Sequence, residues 1–113
     1  MKETLKLSAP LEINGVKYTE LTYDVDEITV DAFAEAGARK AKAVGVTAVS
    51  GAAEVDYVFH LYLGFAAVIA TMPEVDYADL NRLKGRDVRK LMQVGRAFFI
   101  GSDDSTDEDS DEP

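Results

Sequence analysis

The amino-acid sequence predicts an α+β domain, in which an N-terminal β-hairpin packs on about four α-helices, followed by a disordered acidic tail. Apolar residues alternate with polar ones along residues 5–25, on either side of an Asn-Gly pair, as they do in hairpins. From residue 29 onward, apolar residues recur at helical spacing between capping residues and glycines. The domain is therefore assigned to residues 1–101 and the tail to residues 102–113.

Length and composition restrict the classes of protein to which this chain can belong. Its 113 residues make one domain, and 47% apolar with 29% charged residues are ordinary values for a globular protein. The chain has no cysteine, which excludes a disulfide scaffold, a thiolate metal site and a cysteine nucleophile. His60 is the single histidine, so a His-rich metal centre is excluded and acid–base catalysis lacks its usual residue.

The net charge of −9 is concentrated in the tail. Residues 102–113 contain seven of the 21 acidic residues and no basic one, so the 14 acids that remain nearly balance the 12 basic residues. A nucleic-acid-binding domain needs a net basic surface. The balanced body therefore argues against nucleic acid as a partner, and the low-complexity tail is predicted to be disordered.

Alternation and a turn signal predict the first two strands. Apolar residues occupy odd positions of the first strand, namely Leu5, Leu7, Leu11 and Ile13. Asn14-Gly15 then suits a two-residue type I′ turn, in which both central residues have positive φ. This turn pairs Ile13 with Val16, Glu12 with Lys17, and Leu11 with Tyr18.

The pairing farther from the turn requires an irregularity. In regular register Leu7 would face Thr22, yet the apolar positions of the second strand have shifted to Leu21, Tyr23 and Val25. A β-bulge near Pro10 or Glu20 would restore the phase, and Pro10 has no N–H for a ladder bond there.

The first helix is predicted over residues 30–44. Thr29 is its N-cap, Asp31 lies in its first turn, and Gly45 follows its last residue. Its apolar face consists of few residues, namely Val30, Phe33, Ala34 and Ala41. A face this thin is typical of a helix at the surface of a domain.

The second helix is predicted over residues 52–71, after a short link at residues 46–49, with Ser50 as its N-cap and Pro73 beyond its end. Apolar residues cover nearly all of its faces, so it lies at the centre of a core or is covered by a partner. The apolar stretch from Tyr57 to Met72 has 16 residues, fewer than the roughly 18–20 that span a bilayer. No membrane partner is therefore expected.

Two further helices are predicted after Pro73. Asp76 and Asp79 have the spacing of a capping box ahead of a short helix that Gly85 ends. Asp87 is predicted to cap the last helix, whose apolar stripe comprises Val88, Leu91, Gly95 and Phe98, with Met92 and Phe99 beside it. Its other faces carry Arg86, Arg89, Lys90, Gln93 and Arg96. These faces are either solvated, or bind an anionic partner, or are screened by the acidic tail.

Few residues could support catalysis or hold a metal. Asp56 and His60 are four residues apart on the second helix, but no serine, cysteine or metal ligand lies within a turn of them. The acidic residues 24, 26 and 27 could hold a divalent cation, or could simply mark a loop that leads to a helix N-terminus. No phosphate-binding glycine loop is present. We therefore predict no catalytic, cofactor-binding or metal-binding residue, no cofactor and no enzymatic activity.

Three segments carry motifs in a fixed order. The first, LKLSAPLEINGVKYTELTYDV, contains a Leu-x-Leu strand, a proline, a hairpin and a Leu-Thr strand; the second, EITVDAFAEA, contains the start of a helix. The third, MPEVDYADLNRLKGRDVRKLMQVGRAFF, contains Asp-x-x-x-Leu, a charged Gly-x-Asp and a closing helix that ends in Phe. Together these motifs resemble the phage tail assembly chaperone family over about residues 4–99. The residues that carry the resemblance are Leu5, Leu7, Pro10, Leu21, Thr22, Asp31, Asp76, Leu80, Leu83, Asp87, Leu91, Phe98 and Phe99.

The resemblance implies a function, partners and a place of action. Members of this family act while a phage tail is assembled and are absent from the finished virion. They hold the tape measure protein, a long helical chain that aggregates readily, until tail tube protein polymerises around it. By resemblance, the chain is a non-enzymatic chaperone in the cytoplasm of the bacterial host. Its expected partners are tape measure protein, tail tube protein and a frameshifted longer form of itself.

Aromatic residues exceed what one small core needs. They supply most of the predicted partner-binding residues, which are Tyr57, Phe59, Tyr62, Phe65, Leu91, Phe98 and Phe99. A chaperone that holds another chain needs exposed apolar surface, and an acidic tail keeps such a protein dispersed. A homo-oligomer would account for the same surplus. Two other functions stay open: a structural virion component, such as a head–tail joining or tail-completion protein, and an acidic inhibitor that mimics nucleic acid.

Overall fold

The computed structural model describes residues 1–45 and 52–100, which form a two-stranded sheet and four α-helices. The strands are β1 (Glu3–Ile13) and β2 (Val16–Tyr23), followed by one 3₁₀ turn (Val25–Glu27). The helices are α1 (Val30–Val44), α2 (Ala52–Thr71), α3 (Tyr77–Leu80) and α4 (Arg86–Ile100). The predicted α+β class, with its N-terminal hairpin and about four helices, is confirmed. The link at residues 46–49, the Ser50 cap and the acidic tail lie outside the described residues.

The hairpin has the predicted turn and the predicted register. Asn14 and Gly15 both have positive φ, at 53° and 82°, as a type I′ turn requires. Ile13 pairs with Val16, and the two neighbouring pairs follow in the order expected from the sequence. The register then shifts on β1 between Lys6 and Leu11. Of the two positions predicted for a bulge, near Pro10 or near Glu20, the register shift lies on the Pro10 side, and the stretch of β1 that it covers contains Ser8.

One face of the hairpin is buried against the helices. Leu5, Leu11 and Ile13 of β1 and Leu21 of β2 are all buried in the hydrophobic core, whereas Leu7 is half-buried. β2 packs on α2, and β1 packs on α4. An isolated two-stranded hairpin is marginally stable in water, so this sheet depends on the helices that cover its apolar face.

α2 is the central element of the domain. Its residues 63–68 are buried without interruption, and β2, the 3₁₀ turn, α1 and α4 all pack around it. Thr22 and Thr71 place their hydroxyl oxygens 2.8 Å apart, and the Asp24 N–H donates to the Ala67 carbonyl at 3.2 Å. Of the two positions predicted for this helix, at the centre of a core or under a partner, the structure shows the first. Within the described residues, no helix has both the length and the apolar character needed to cross a membrane.

α2 and α4 touch backbone to backbone at two glycines. A Cβ atom added to Gly64 would overlap the carbonyl group of Leu91, and a Cβ atom added to Gly95 would overlap the carbonyl group of His60. Residue numbers rise along α2 as they fall along α4 at these contacts, so the two helices run antiparallel. Only glycine permits this separation between the helices.

α1 packs on α2 as a surface helix. Thr29 caps it by accepting a hydrogen bond from the Ala32 N–H at 3.0 Å, as predicted. Ala36 is its buried residue, and Phe33 is half-buried. The predicted apolar face was partly wrong, because Val30 and Ala34 are exposed. The face that meets α2 is centred on Ala36, which lies on another side of the helix from Val30.

α3 is shorter than predicted. The capping box is confirmed, since the Asp76 carboxylate accepts from the Asp79 N–H and the Asp79 carboxylate accepts from the Asp76 N–H. The helix nevertheless ends at Leu80 rather than continuing toward Gly85. One turn suffices to bury Tyr77 and Leu80, and the chain then turns into α4 at Gly85, where φ is 61°.

Asp87 is not the cap of α4, which corrects the prediction. It lies inside the first turn, and its buried carboxylate accepts hydrogen bonds from the Ser8 N–H at 2.9 Å and from the Ser8 hydroxyl at 3.0 Å. The Lys90 ammonium lies 3.8 Å from the same carboxylate and donates to the Lys6 carbonyl at 2.6 Å. The bulge of β1 thus supplies donors to the first turn of α4.

Replacing either interhelical glycine by alanine is expected to destabilise the fold. Gly64→Ala or Gly95→Ala forces two backbones apart, and we expect each to lower the free energy of unfolding by about 3 kcal/mol. The matched control is Gly37→Ala in α1, where the new Cβ would meet only a Phe59 ring carbon at 3.9 Å. That variant should gain about 0.5–1 kcal/mol from helix propensity. Urea unfolding measures the free energy of unfolding of all three variants. A stabilised Gly95→Ala variant would contradict the close contact between the backbones of α2 and α4.

Asp87→Ala is expected to lower the free energy of unfolding by about 2 kcal/mol, because it leaves two Ser8 donors without their acceptor. Asp31→Ala is the matched control, since Asp31 is an exposed acid in the first turn of α1. It should lose only the interaction with the helix dipole, about 0.3–1 kcal/mol. Urea unfolding measures the free energy of unfolding of both variants. Equal losses would show that Asp87 stabilises the fold only through its charge at the helix N-terminus, and that its hydrogen bonds to Ser8 add nothing.

Candidate partner-binding surface

The structure divides the seven predicted partner-binding residues among four environments. Phe59, Phe98 and Phe99 lie together at one end of the helices. Tyr62 and Phe65 lie in a second cluster with Tyr77. Leu91 lies in the hydrophobic core, and Tyr57 borders a groove between α2 and α4. Their role as partner contacts stays a prediction, but only some of them are accessible.

Four phenylalanines from three helices form what we call the aromatic patch: Phe33, Phe59, Phe98 and Phe99. Phe33 of α1 stacks on Phe98 at 5.5 Å between ring centroids and meets Phe59 edge-on at 5.3 Å. Phe99 meets Phe59 edge-on at 5.7 Å and Phe98 at 5.5 Å. Edge-to-face and offset pairs at these separations are the favoured aromatic geometries. The patch is therefore an ordered cluster that joins α1, α2 and α4.

The aromatic patch is open to solvent on one side. Phe99 remains 51% exposed, Tyr57 55% and Ile100 64%, although each could contribute apolar area to a core. The first three members of the patch are only half-buried, so several large rings share one accessible area. Exposed large apolar side chains of this kind make the patch a candidate surface for contact with another protein chain.

Charged and polar groups border the aromatic patch. The Lys40 ammonium lies 5.5 Å from the centroid of the Phe59 ring, and the His60 ring lies 5.6 Å from the Phe99 ring. His60 and Tyr57 also line a groove of about 410 Å³, together with Arg89, Met92 and Arg96. The exposed apolar area thus has a basic edge on α4.

Tyr62, Phe65 and Tyr77 form a separate cluster that belongs to the core. The Tyr62 and Phe65 rings are 5.5 Å apart, and Phe65 and Tyr77 are buried. The Arg39 guanidinium lies 4.1 Å from the Tyr77 centroid. Burial raises the pKa of Tyr77, since it disfavours the phenolate, although Arg39 lowers it in part. These rings hold α1, α2 and α3 together.

Phe65 and Leu91 are inaccessible in this conformation, because both are buried in the hydrophobic core. A partner could contact them only after α2 and α4 had separated. The predicted residues that a partner can reach directly are therefore Tyr57 and Phe99, with the half-buried Phe59, Tyr62 and Phe98 behind them.

Sequence analysis missed two residues of this surface. Phe33 was recognised as part of the apolar face of α1, but nothing local showed that it would meet rings from α2 and α4. Ile100 was not among the predicted partner-binding residues. Its position seven residues after Gln93 and four after Arg96 placed it on a polar face, where an isoleucine stands out.

The acidic residues that follow β2 have a structural role. The Asp24 carboxylate accepts from the Asp26 N–H at 3.0 Å and caps the 3₁₀ turn, as the loop interpretation predicted. Within residues 1–45 and 57–100, no group of three or more His, Asp or Glu side chains could hold a metal ion. The predicted Asp56–His60 pair lies outside the described residues, since the Asp56 side chain is not among them.

The described residues combine a small α+β fold with an exposed aromatic surface. A family model described as phage tail assembly chaperone proteins, E, or 41 or 14, matches residues 4–100. The chain belongs to this family, and the resemblance inferred from its motifs is confirmed. Neither the comparison with curated proteins nor the comparison with solved structures found a match.

Phe33 is expected to matter more for stability than Phe99. Its ring contacts three other phenylalanines and joins three helices, so Phe33→Ala should lower the free energy of unfolding by about 2–3 kcal/mol. Phe99→Ala should cost about 1 kcal/mol, because half of that side chain is already in water. Urea unfolding measures both, and a larger loss for Phe99→Ala would contradict the central position of Phe33.

Proposed function

We propose that this chain is a non-enzymatic phage tail assembly chaperone that binds tape measure protein through the aromatic patch and its exposed neighbours. The observation that carries the proposal is the exposure of Phe99 in the aromatic patch, together with that of Ile100, the next residue of α4, and of Tyr57, which lines a groove with His60. It acts in the cytoplasm of the bacterial host and is absent from the finished virion.

The chemistry of the patch suits an amphipathic helix as its ligand. Such a helix places apolar side chains at every third or fourth position, and a groove or flat apolar surface accepts them. Rings held at fixed separations by three helices lose little conformational freedom when they bind. Tape measure protein, which the family resemblance implies to be a long helical chain that aggregates readily, is the ligand proposed for this surface.

The basic edge of the patch adds a preference for acidic flanks. Arg89 and Arg96 border the groove beside Tyr57, so a bound helix with acidic residues next to its apolar face would be favoured. Tail tube protein and a frameshifted longer form of this chain are further partners in the proposal. Neither is needed for the patch to hold a tape measure segment.

A co-purification experiment with matched variants tests the proposal. Full-length chain is co-expressed with the tape measure protein of the same phage or prophage, and the amount of tape measure protein that stays in solution and co-purifies is measured. Tyr57→Ser and Phe99→Ser remove exposed rings and should each weaken binding about tenfold, as interface hot spots do. The control is Val16→Ser, because Val16 is 54% exposed at the tip of the hairpin.

The outcomes distinguish the proposal from its alternatives. Loss of tape measure protein with both ring variants and retention with the Val16 control support it. Unchanged co-purification with both ring variants would exclude the patch as the binding surface. Failure of the unaltered chain to co-purify, together with its presence in purified phage particles, would favour a structural virion component instead.

A further inference from the structure

One face of α4 carries Arg86, Arg89, Gln93 and Arg96. These four residues, which we call the basic stripe, follow each other at spacings of three, four and three, so they lie on one side of the helix. All four are exposed. By contrast, Lys90 on a neighbouring face bonds to the Lys6 carbonyl and lies beside Asp87.

The ion pairs of the described residues do not include the basic stripe. Arg39 pairs with Glu35, Arg82 with Asp79, and Lys90 with Asp87, whereas Arg86, Arg89 and Arg96 take part in no ion pair within residues 1–45 and 57–100. Asp87 is the single acid of α4, and its carboxylate faces Ser8. The stripe therefore carries three arginines that pair with no acid among the described residues.

The acidic tail begins where this helix ends. α4 ends at Ile100, and residues 103–112 then carry seven acids without a base. An extended stretch of 12 residues reaches about 40 Å, at about 3.4 Å per residue. The 15 residues of α4 are about 22 Å long. The tail can therefore lie back along the whole stripe.

We infer that the acidic C-terminal tail docks on the basic stripe of α4 in the same molecule. Seven acids opposite three arginines provide charge complementarity, and the covalent connection supplies a high local concentration of the tail. The contact is electrostatic and exposed, so it exchanges readily and is weakened by salt. The docking is a property of the isolated chain and does not rest on the proposed function.

Docking would also place the tail beside the aromatic patch. Arg89 and Arg96 share their groove with Tyr57 and His60, and the His60 ring lies 5.6 Å from the Phe99 ring. If the patch binds tape measure protein, an acidic segment of that partner would compete with the tail for the stripe.

Paramagnetic broadening in the full-length chain tests the docking directly. Because the chain has no cysteine, Ser110→Cys provides a unique site for a nitroxide label in the tail. The expected result is a loss of amide signal intensity at Arg86 and Arg89, well above any loss at Asn14–Lys17 in the hairpin. Raising the salt concentration to about 1 M, where the Debye length is about 3 Å, should restore the lost intensity.

Matched charge variants distinguish a specific contact with the basic stripe from general electrostatic attraction between the tail and the rest of the chain. Arg89→Gln with Arg96→Gln should abolish the broadening at Arg86, whereas Lys17→Gln with Lys42→Gln makes the same change in net charge on exposed residues elsewhere and should preserve it. Unchanged broadening in the arginine variant would overturn the inference. So would broadening that is insensitive to salt or equal at all exposed basic residues.

A mixed sample tests whether the docking is intramolecular. Isotope-labelled chain without the nitroxide is combined with unlabelled chain that carries it, so that only contacts between molecules broaden signals. No broadening at Arg86 and Arg89 is expected. Broadening as strong as in the singly labelled chain would place the tail on a second copy and overturn the intramolecular contact.

Discussion

The direct contact between the backbones of α2 and α4 is the constraint on which the rest of the structure depends. Gly64 and Gly95 leave no room for a Cβ atom between the helices, so the two backbones are in direct contact. This antiparallel pair buries Leu63, Ala67 and Leu91 and provides the surface that the hairpin covers. It also brings Phe59 near the start of α2 beside Phe99 near the end of α4.

The hairpin and the helix pair stabilise each other through a few polar contacts. The bulge in β1 turns the Ser8 N–H and hydroxyl toward the Asp87 carboxylate, and the Asp24 N–H bonds to the Ala67 carbonyl of α2. Each strand is therefore tied to one helix of the pair. The irregular stretch of β1 loses hydrogen bonds to β2. In exchange, Ser8 donates to the buried Asp87 carboxylate of α4.

Local sequence signals predicted the helices and strands, but they did not predict contacts between residues that are far apart in the sequence. Capping by Thr29 and by Asp76, the Asn14-Gly15 turn and the bulge near Pro10 all follow from chemistry within a few residues. Asp87 looked like a cap because an acid at a helix start usually is one, yet its partner lies 79 residues away in sequence. Gly64 and Gly95 are isolated glycines, which sequence patterns treat as weak helix positions rather than as an interface.

The candidate surface was predictable in composition but not in arrangement. A surplus of aromatic residues near residues 57–65 and 98–99 indicated that some would be exposed, but not that Phe65 would be buried or that Phe33 would join Phe98. The most direct measurement replaces Phe99, in the full-length chain, by a photo-crosslinking phenylalanine during co-expression with tape measure protein. The account predicts crosslinks to tape measure protein from position 99 and none from the same group at position 16. Crosslinks from position 16 alone, or from neither position while the two proteins still co-purify, would contradict it.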